Sequence, residues 1–316
     1  MNRRTRAVTS LAALATGGAL WVAVGVPATA GAAAPPECGG RPATVVGTEG
    51  DDVLVGTAGD DVAFLGKGND RFDAYGGNDV VCGGDGNDIV LAGDGNDIVN
   101  GGEGDDWIDA GAGDDKVSVL AGRDGVLGGD GADTITVRVP VADVHAGAGN
   151  DIVYASWLTT PLRMNSGDDT VVFHNTSGDV RGGRGDDVFL EAAPDPVFVD
   201  QPDLNRATTS LLLGGSGEDT FTLVTQSAPV RLDAALGLAT WQDNAARLRG
   251  MQVYVGGIGN DVLLGSDRGE TIRGKAGEDV VRGRAGDDRL RGGPGVDVVY
   301  GGAGRDDCTG EARHSC

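Results

Sequence analysis

Aspartate recurs at every ninth residue along much of this chain, and a hydrophobic residue follows two places later. The stretch 83–109 divides into GGDGNDIVL, AGDGNDIVN and GGEGDDWID, so the unit is G1-G2-x3-G4-x5-D6-x7-U8-x9, counted from Gly47. A carboxylate at one fixed position of each repeat is suited to binding hard cations, because every copy provides the same oxygen ligands. A disordered acidic chain would not keep a hydrophobic residue in register with each aspartate. The spacing therefore predicts an ordered repeat.

The period of the aspartate changes along the chain. Ten consecutive copies of position 6 are Asp52, Asp61, Asp70, Asp79, Asp88, Asp97, Asp106, Asp115, Asp124 and Asp133. The later aspartates of the same frame are Asp151, Asp169 and Asp187, at intervals of eighteen. Position 8 stays hydrophobic throughout, to Phe189 and Phe198. A change from nine to eighteen predicts a coil of eighteen residues with one turn on each of two edges.

Each nonapeptide divides into a turn and a strand. Glycines at positions 1, 2 and 4 permit positive φ, so positions 1–6 are predicted to form a tight turn. Positions 7–9 are predicted to form a short strand with position 8 pointing inward. Stacked coils then give an all-β parallel solenoid of two sheets. Its predicted core has one side chain per nine residues, which is too thin to hold stacked carboxylates together without a cation.

The frame breaks within 200–213 and resumes near the C-terminus. One isolated unit follows the break, at 214–222, with Asp219. Residues 223–255 contain the alternating patterns VRLDAALGLAT and MQVYV, which predict strands. From Gly256 position 6 is again filled, by Asp261, Glu270, Asp279, Asp288, Asp297 and Asp306.

The N-terminus has the pattern of a secretory signal. Three arginines at positions 3, 4 and 6 precede an apolar run, and Ala28-Thr29-Ala30 offers the small residues of a cleavage site. The alternative is an uncleaved membrane anchor, which Gly17, Gly18, Gly25 and Pro27 disfavour. We therefore predict five segments: 1–30 signal peptide, 31–46 N-terminal cap, 47–199 calcium-binding β-roll, 200–255 degenerate β segment with one isolated repeat, and 256–316 C-terminal calcium-binding β-roll and cap.

The charge of the chain also indicates a cation as partner. Removal of the signal would take the formal charge from −23 to −26. Such a charge disfavours nucleic acid and anionic membranes as partners, and no membrane insertion is expected. Ca²⁺ suits a set of carboxylates and turn carbonyls, whereas Mg²⁺ keeps its waters and demands a strict octahedron. The chain has no cysteine pair at zinc spacing and only three histidines.

The repeats GGDGNDIVL, GGEGDDWID and GGDGADTIT resemble the hemolysin-type calcium-binding repeat, the RTX nonapeptide family. The resemblance implies a right-handed parallel β-roll that binds several Ca²⁺ ions between successive turns. It implies these ligands: Asp52, Asp61, Asp70, Asp79, Asp88, Asp97, Asp106, Asp115, Asp124, Asp133, Asp151, Asp169, Asp187, Asp261, Asp279, Asp288, Asp297 and Asp306. Glu270 departs from the motif, and Asp219 has no neighbour in frame, so neither is predicted as a ligand. Toxins and proteases of the family add a further domain that is not visible here.

The four cysteines flank the repeats, and an exported protein can form disulfides. Three pairings exist. We favour Cys38–Cys82 and Cys308–Cys316, because the terminal coils of a solenoid need caps and these bonds would hold them. Unpaired thiols are the alternative.

No catalytic signature is present in the sequence, and two functions remain. The first is a secreted, extracellular calcium-binding module without a reaction of its own, structural or interacting with an unknown glycan or protein. The second is a calcium-dependent enzyme acting on extracellular polysaccharide, with Asp233, Trp241 and Arg247 as its candidates. His145 and His174 are predicted to be surface residues and Trp107 an exposed strand residue. A patch of Arg138, Ser156, Trp157, His174 and Asn175 is a weaker candidate for partner binding.

Overall fold

The structure is a computed structural model that describes residues 34–138, 143–156, 160–173, 178–191, 209–223, 229–241 and 244–316. The regular elements of these ranges are all β-strands. None of the described residues forms an apolar helix of membrane-spanning length.

The strands are short and follow one another at the repeat spacing. In chain order they are β1 (Glu37–Cys38), β2 (Arg41–Pro42), β3 (Val45–Val46), β4 (Val53–Val55), β5 (Val62–Lys67), β6 (Arg71–Asp73), β7 (Val80–Asp85), β8 (Ile89–Asp94), β9 (Ile98–Glu103), β10 (Trp107–Ala112), β11 (Lys116–Val119), β12 (Gly125–Asp130), β13 (Thr134–Val137), β14 (Asp143–Ala148), β15 (Ile152–Ala155) and β16 (Leu162–Ser166). The chain continues with β17 (Thr170–Phe173), β18 (Val180–Arg184), β19 (Val188–Glu191), β20 (Thr209–Ser216), β21 (Asp219–Leu223), β22 (Val230–Asp233), β23 (Leu238–Trp241), β24 (Asn244–Arg249), β25 (Met251–Val255), β26 (Val262–Leu264), β27 (Thr271–Arg273), β28 (Val280–Ala285), β29 (Arg289–Arg291), β30 (Val298–Ala303), β31 (Asp307–Thr309) and β32 (Ala312–His314).

Two large sheets form the solenoid. Sheet one has 14 strands in the order β3-β5-β7-β9-β11-β13-β15-β17-β19-β21-β25-β27-β29-β31. Sheet two has 16 strands in the order β32-β30-β28-β26-β22-β23-β24-β20-β18-β16-β14-β12-β10-β8-β6-β4. Neighbouring strands of the repeats pair in parallel with partners eighteen residues apart, as in Val62 with Val80 and Ile108 with Val126. The predicted all-β solenoid with eighteen residues per coil is confirmed.

The strands are longer than the predicted three residues in many repeats. Strand β8, for example, covers positions 7 to 9 of one repeat and continues through positions 1 to 3 of the next. The reason is that the first two turn residues still hydrogen-bond in parallel to the neighbouring coil, as Gly93 pairs with Gly111. The turn itself is therefore confined to the residues around positions 4 to 6.

The core contains two side chains per repeat in part of the roll, not one. Position 8 is buried as predicted, for example at Phe72 and Ile108, both 0% exposed. Position 1 is also buried, and several repeats place a larger residue there than the motif glycine, such as Leu65, Met164 and Phe173. The prediction of one core side chain per nine residues is wrong at those coils, because position 1 also faces inward.

An irregular segment interrupts the repeats without ending the sheets. Val188 pairs with Thr220, which is 32 residues away instead of eighteen. In sheet two, β23 runs antiparallel to β22 and β24, while β24 pairs in parallel with β20 and β22 with β26. The strands predicted within 223–255 are confirmed, and both sheets run continuously from the first block of repeats to the second. The frame break predicted within 200–213 lies largely outside the described residues.

Both predicted disulfides are present. Cys38 is bonded to Cys82, with the two Cα atoms 5.8 Å apart, and thereby ties the small β1–β2 hairpin to strand β7. Cys308 is bonded to Cys316, with a Cα separation of 5.9 Å. The first bond fixes the N-terminal segment to the first coils of the roll, and the second fixes the C-terminal segment to the last coil.

Candidate metal centre: two columns of stacked aspartates

The position-6 aspartates form a column along each edge of the roll. We call edge one the edge that leads into sheet one, with Asp61 as its first aspartate, and edge two the edge that leads into sheet two, with Asp52 as its first. In each column the Oδ1 atom accepts a hydrogen bond from the backbone N–H of the aspartate one coil earlier. The Asp79 N–H lies 2.7 Å from Asp97 Oδ1, and the Asp88 N–H lies 2.9 Å from Asp106 Oδ1. The column therefore holds each carboxylate in a fixed orientation.

The second carboxylate oxygen has no partner in most of these aspartates. A buried oxygen without a hydrogen bond is costly unless a ligand satisfies it. The Oδ2 atoms in this state belong to Asp70, Asp79, Asp88, Asp97, Asp106, Asp115, Asp124, Asp133, Asp151, Asp169, Asp187, Asp219, Asp279, Asp288, Asp297 and Asp306. At the first coil of each column the oxygen is satisfied differently, because Asp52 and Asp61 accept from the backbone and hydroxyl of Thr48 and Thr57.

The electrostatics of the columns oppose the charged form. Burial raises the pKa of Asp106 and Asp151 to about 7, although the hydrogen bond from the preceding backbone lowers it in part. Burial likewise raises the pKa of Asp79 to about 6, and the carboxylates of the adjacent coils add repulsion. A stack of such groups needs protons or a cation to be stable at neutral pH.

Position 5 forms a second ladder that the sequence analysis missed. Here the side-chain oxygen accepts from the backbone of the following coil: the Asn78 N–H lies 2.8 Å from Asp60 Oδ1, and the Asn96 N–H lies 2.9 Å from Asn78 Oδ1. The signal was present, since asparagine or aspartate precedes the position-6 aspartate in most repeats. Because these side chains are exposed, the ladder fixes the turn and leaves the buried oxygens of position 6 for a ligand.

Calcium fits this donor set. Among the described residues, no three acidic, histidine or cysteine side chains converge closely enough to hold a metal by themselves. Each turn instead offers one buried carboxylate oxygen, so the position-6 aspartates would hold the ion together with backbone carbonyls. An all-oxygen shell of that kind suits Ca²⁺, while zinc prefers nitrogen and sulfur. A bound Ca²⁺ would supply the positive charge that the column lacks.

The two edges differ in the middle of the roll. Edge one continues without a gap through Asp133, Asp151 and Asp169, each hydrogen-bonded to the next at 2.9 Å. The aspartate column of edge two ends at Asp124, and Thr160 and Gly178 take position 6 in later coils. A continuous column of candidate ligands is therefore found on only one side of the coils that follow Asp124, within the described residues.

Asp219 joins the edge-one column, which corrects its exclusion in the sequence analysis. The Asp187 N–H lies 3.1 Å from Asp219 Oδ1, and Asp219 is fully buried. The two are 32 residues apart instead of eighteen, and Asp219 nevertheless lies on the same edge as Asp187. The Asp219 N–H donates in turn to Gln252 Oε1 at 2.8 Å, so an uncharged amide stands at the next place in the column.

The C-terminal repeats rebuild both columns. On edge two the Asp261 N–H lies 2.8 Å from Asp279 Oδ1, and the column ends where the backbone N–H of Asp297 donates to Glu311 Oε2 at 2.9 Å. On edge one Glu270 is buried, and its N–H donates to Asp288 Oδ1 at 2.8 Å. The Glu270 carboxylate is bonded to the backbone and hydroxyl of Ser266, so it lacks the free oxygen of an aspartate.

The candidates for catalysis are brought together only in part: Asp233 and Arg247 both pair in register with Leu238, from opposite sides, whereas Trp241 is buried in the core. Asp233 is bound by both terminal nitrogens of Arg284 at 2.8 Å, Trp241 is 5% exposed, and Arg247 lies on the surface. His145 is half-buried, beside Asp143 on its own strand and Arg163 on the next. Trp107 is 43% exposed, as predicted. Trp157, His174 and Asn175 of the candidate partner patch lie outside the described residues, so that patch stays a prediction.

Comparison with protein families gives a match to the repeats. The family profile described as RTX calcium-binding nonapeptide repeat (4 copies) matches residues 46–81, 83–117, 101–135, 143–157, 264–299 and 285–312. A comparison with curated proteins finds no match. The matched residues contain most of both aspartate columns.

Proposed function

This chain carries repeats of the RTX calcium-binding nonapeptide family, as predicted from its sequence, and from this premise we propose that it is an exported module whose folding depends on Ca²⁺. The observation that supports the proposal best is the series of buried Oδ2 atoms without a hydrogen-bond partner. They lie in register along both edges, which is where a column of cations would neutralise them.

Coupling of folding to calcium follows from the charge of the columns. The ion binds only where two turns are stacked, because the unfolded chain does not hold the oxygens of successive coils together. Binding to the folded form alone stabilises that form by mass action. Without the metal, neighbouring carboxylates of one column repel each other, so the folded state loses stability at neutral pH.

Export is supported by two features of the chain. The N-terminal 1–30 region has the composition of a secretory signal, and two disulfides cap the described part of the roll. Extracellular fluid also supplies the calcium that the columns require. The module is proposed to be structural or to bind a partner, with no reaction of its own.

Titration of the purified, signal-free protein with Ca²⁺ tests the proposal. In chelator at neutral pH we expect a coil-like circular dichroism spectrum, and millimolar Ca²⁺ should produce β-structure cooperatively. Mg²⁺ at the same concentration serves as the control and should be much less effective. A metal-free protein that is already fully folded at neutral pH would overturn the coupling, and cleavage of a polysaccharide in the presence of Ca²⁺ would overturn the assignment of no reaction.

A further inference from the structure

The outer face of sheet two changes its chemistry along the axis of the roll. Position 9 forms one continuous row across this face, in which each residue pairs with the next: Val55, Asp73, Leu91, Asp109, Leu127, His145, Arg163, Arg181, Leu213 and Arg249. The first five are apolar or acidic, and the later ones are predominantly basic. The change begins at His145, one coil after the aspartates of edge two end at Asp124.

Four arginines of this face form what we call the arginine row: Arg163, Arg181, Arg247 and Arg249. Arg181, Arg247 and Arg249 are exposed, and none of the three makes an ion pair with a described residue. Arg163 is half-buried and is held by Asp143 at 2.7 Å. Asp143 is also the one carboxylate among the described outward residues of β14, β16, β18, β20 and β24, and the half-buried Asp179 lies directly before β18. The row is therefore locally positive in a chain of net charge −23.

The row leads into an open cavity of about 790 Å³ at the irregular segment. Arg247, Arg249 and Arg268 line this cavity together with the acidic Asp267 and Glu270, and the exposed Leu236 of the β22–β23 turn also contributes to the lining. The cavity thus holds three arginines and two carboxylates where the regular repeats are interrupted.

From this arrangement we propose that the arginine row binds a linear anionic polysaccharide that runs parallel to the axis of the roll. Arg163 and Arg181 lie on adjacent strands, about 4.8 Å apart, and Arg249 lies two strands beyond Arg181, across Leu213, at roughly twice that distance. These separations are comparable to the lengths of one and two sugar units, so an extended chain can present carboxylate or sulfate groups to these arginines. Guanidinium groups recognise both kinds of anion through paired hydrogen bonds.

Other polyanions fit the surface less well. A duplex nucleic acid or a bilayer is wider than the sheet and would approach the exposed position-5 carboxylates of the edges, such as Asp168 and Asp186. A single-stranded nucleic acid needs aromatic side chains on which its bases stack. The described outward residues of β14 to β24 in this sheet include no phenylalanine, tyrosine or tryptophan.

The test compares two double variants of the calcium-loaded protein. Arg181→Ala with Arg249→Ala removes two charges from the row, and Arg273→Ala with Arg289→Ala removes two exposed arginines from the outer face of sheet one. Binding is measured by calorimetry with a hyaluronate oligosaccharide, which carries carboxylates, with a dextran sulfate oligosaccharide and with neutral dextran. Circular dichroism in Ca²⁺ verifies that each variant is folded, which separates this test from that of calcium-dependent folding.

We expect the wild type to bind one or both anionic oligosaccharides in a salt-sensitive manner and not to bind neutral dextran. The row variant should lose about tenfold or more in affinity, and the sheet-one variant should retain it. A preference for one of the two oligosaccharides shows whether the arginine row recognises carboxylate or sulfate groups. Equal loss in both variants, an unchanged affinity in the row variant, or binding only to a single-stranded DNA control would overturn the proposal.

Discussion

Each position-6 aspartate has two distinct roles, one for each oxygen. Oδ1 accepts the backbone N–H of the preceding coil and so fixes the register, as Asp169 does for Asp151 at 2.9 Å. Oδ2 is buried without a hydrogen-bond partner in most of these aspartates and is therefore available to a cation. Asparagine at this position could keep the first role but not the charge of the second, which explains why asparagine is found at the exposed position 5 and not here.

Replacement of Asp151 by alanine should remove calcium from the middle of the roll. Asp151 lies between Asp133 and Asp169 in the unbroken edge-one column, so the two gaps next to it lose a ligand. We expect one or two fewer bound ions per molecule, measured by metal analysis of the folded, dialysed protein. Asp143→Ala is the matched control, because Asp143 lies outside the columns and pairs with Arg163. Equal ion loss from both variants would contradict the assignment of ligands.

The turns require glycine at the positions where neighbouring coils touch. Gly86 and Gly59 both occupy position 4, but their surroundings differ. Gly86 has φ of 132°, and a Cβ there would lie 1.8 Å from the carbonyl oxygen of Gly68 in the preceding coil. Gly59 lies in an early turn, where the nearest atom to a Cβ is Thr57 Oγ1 at 4.0 Å. The same motif position is therefore essential within the stack and tolerant near its start.

Gly86→Ala should destabilise the calcium-loaded protein by about 2–4 kcal/mol, because it combines left-handed backbone strain with a clash against backbone. Gly59→Ala should change the free energy of unfolding by less than about 0.5 kcal/mol. Denaturant unfolding at saturating Ca²⁺ measures both. Comparable losses in the two variants would show that coil-to-coil contact is not the reason for the glycine.

Much of this arrangement was predictable, because a period of nine that becomes eighteen specifies both the coil length and the two edges. The place of Asp219 was not predictable from spacing, since a coil of 32 residues hides its alignment with Asp187. The burial of position 1 was missed because the motif glycine has no side chain, and only residues such as Met164 reveal that this position faces the core. The arginine row was missed for a related reason: Arg163 and Arg181 follow the eighteen-residue spacing, but Arg247 and Arg249 join them only because β24 pairs with β20.

The stability of the whole molecule depends on what neutralises the two columns. The pKa of Asp115 and Asp187 is raised by burial to about 7, and that of Asp70 and Asp288 to about 6, from an ordinary value of 3.8. The folded, metal-free chain therefore binds more protons than the unfolded chain between about pH 4 and 7. Protons and calcium ions are alternative ways to neutralise the same oxygens.

Metal-free protein should accordingly be most stable in acid and should unfold as the pH rises. The stabilisation from these aspartates is fully present below about pH 4 and is lost as the pH passes through the raised pKa values of about 6 to 7. We expect the β signal of the demetallated protein near pH 5 to disappear by about pH 8, and millimolar Ca²⁺ to restore it there. The Asp106→Asn, Asp115→Asn double variant is the control. The two substituted side chains are neutral at every pH, so the metal-free variant should lose the β signal at a higher pH than the wild type does. A metal-free protein that is more stable at pH 8 than at pH 5 would contradict this account, because burial of ionised carboxylates could not then be what limits the fold.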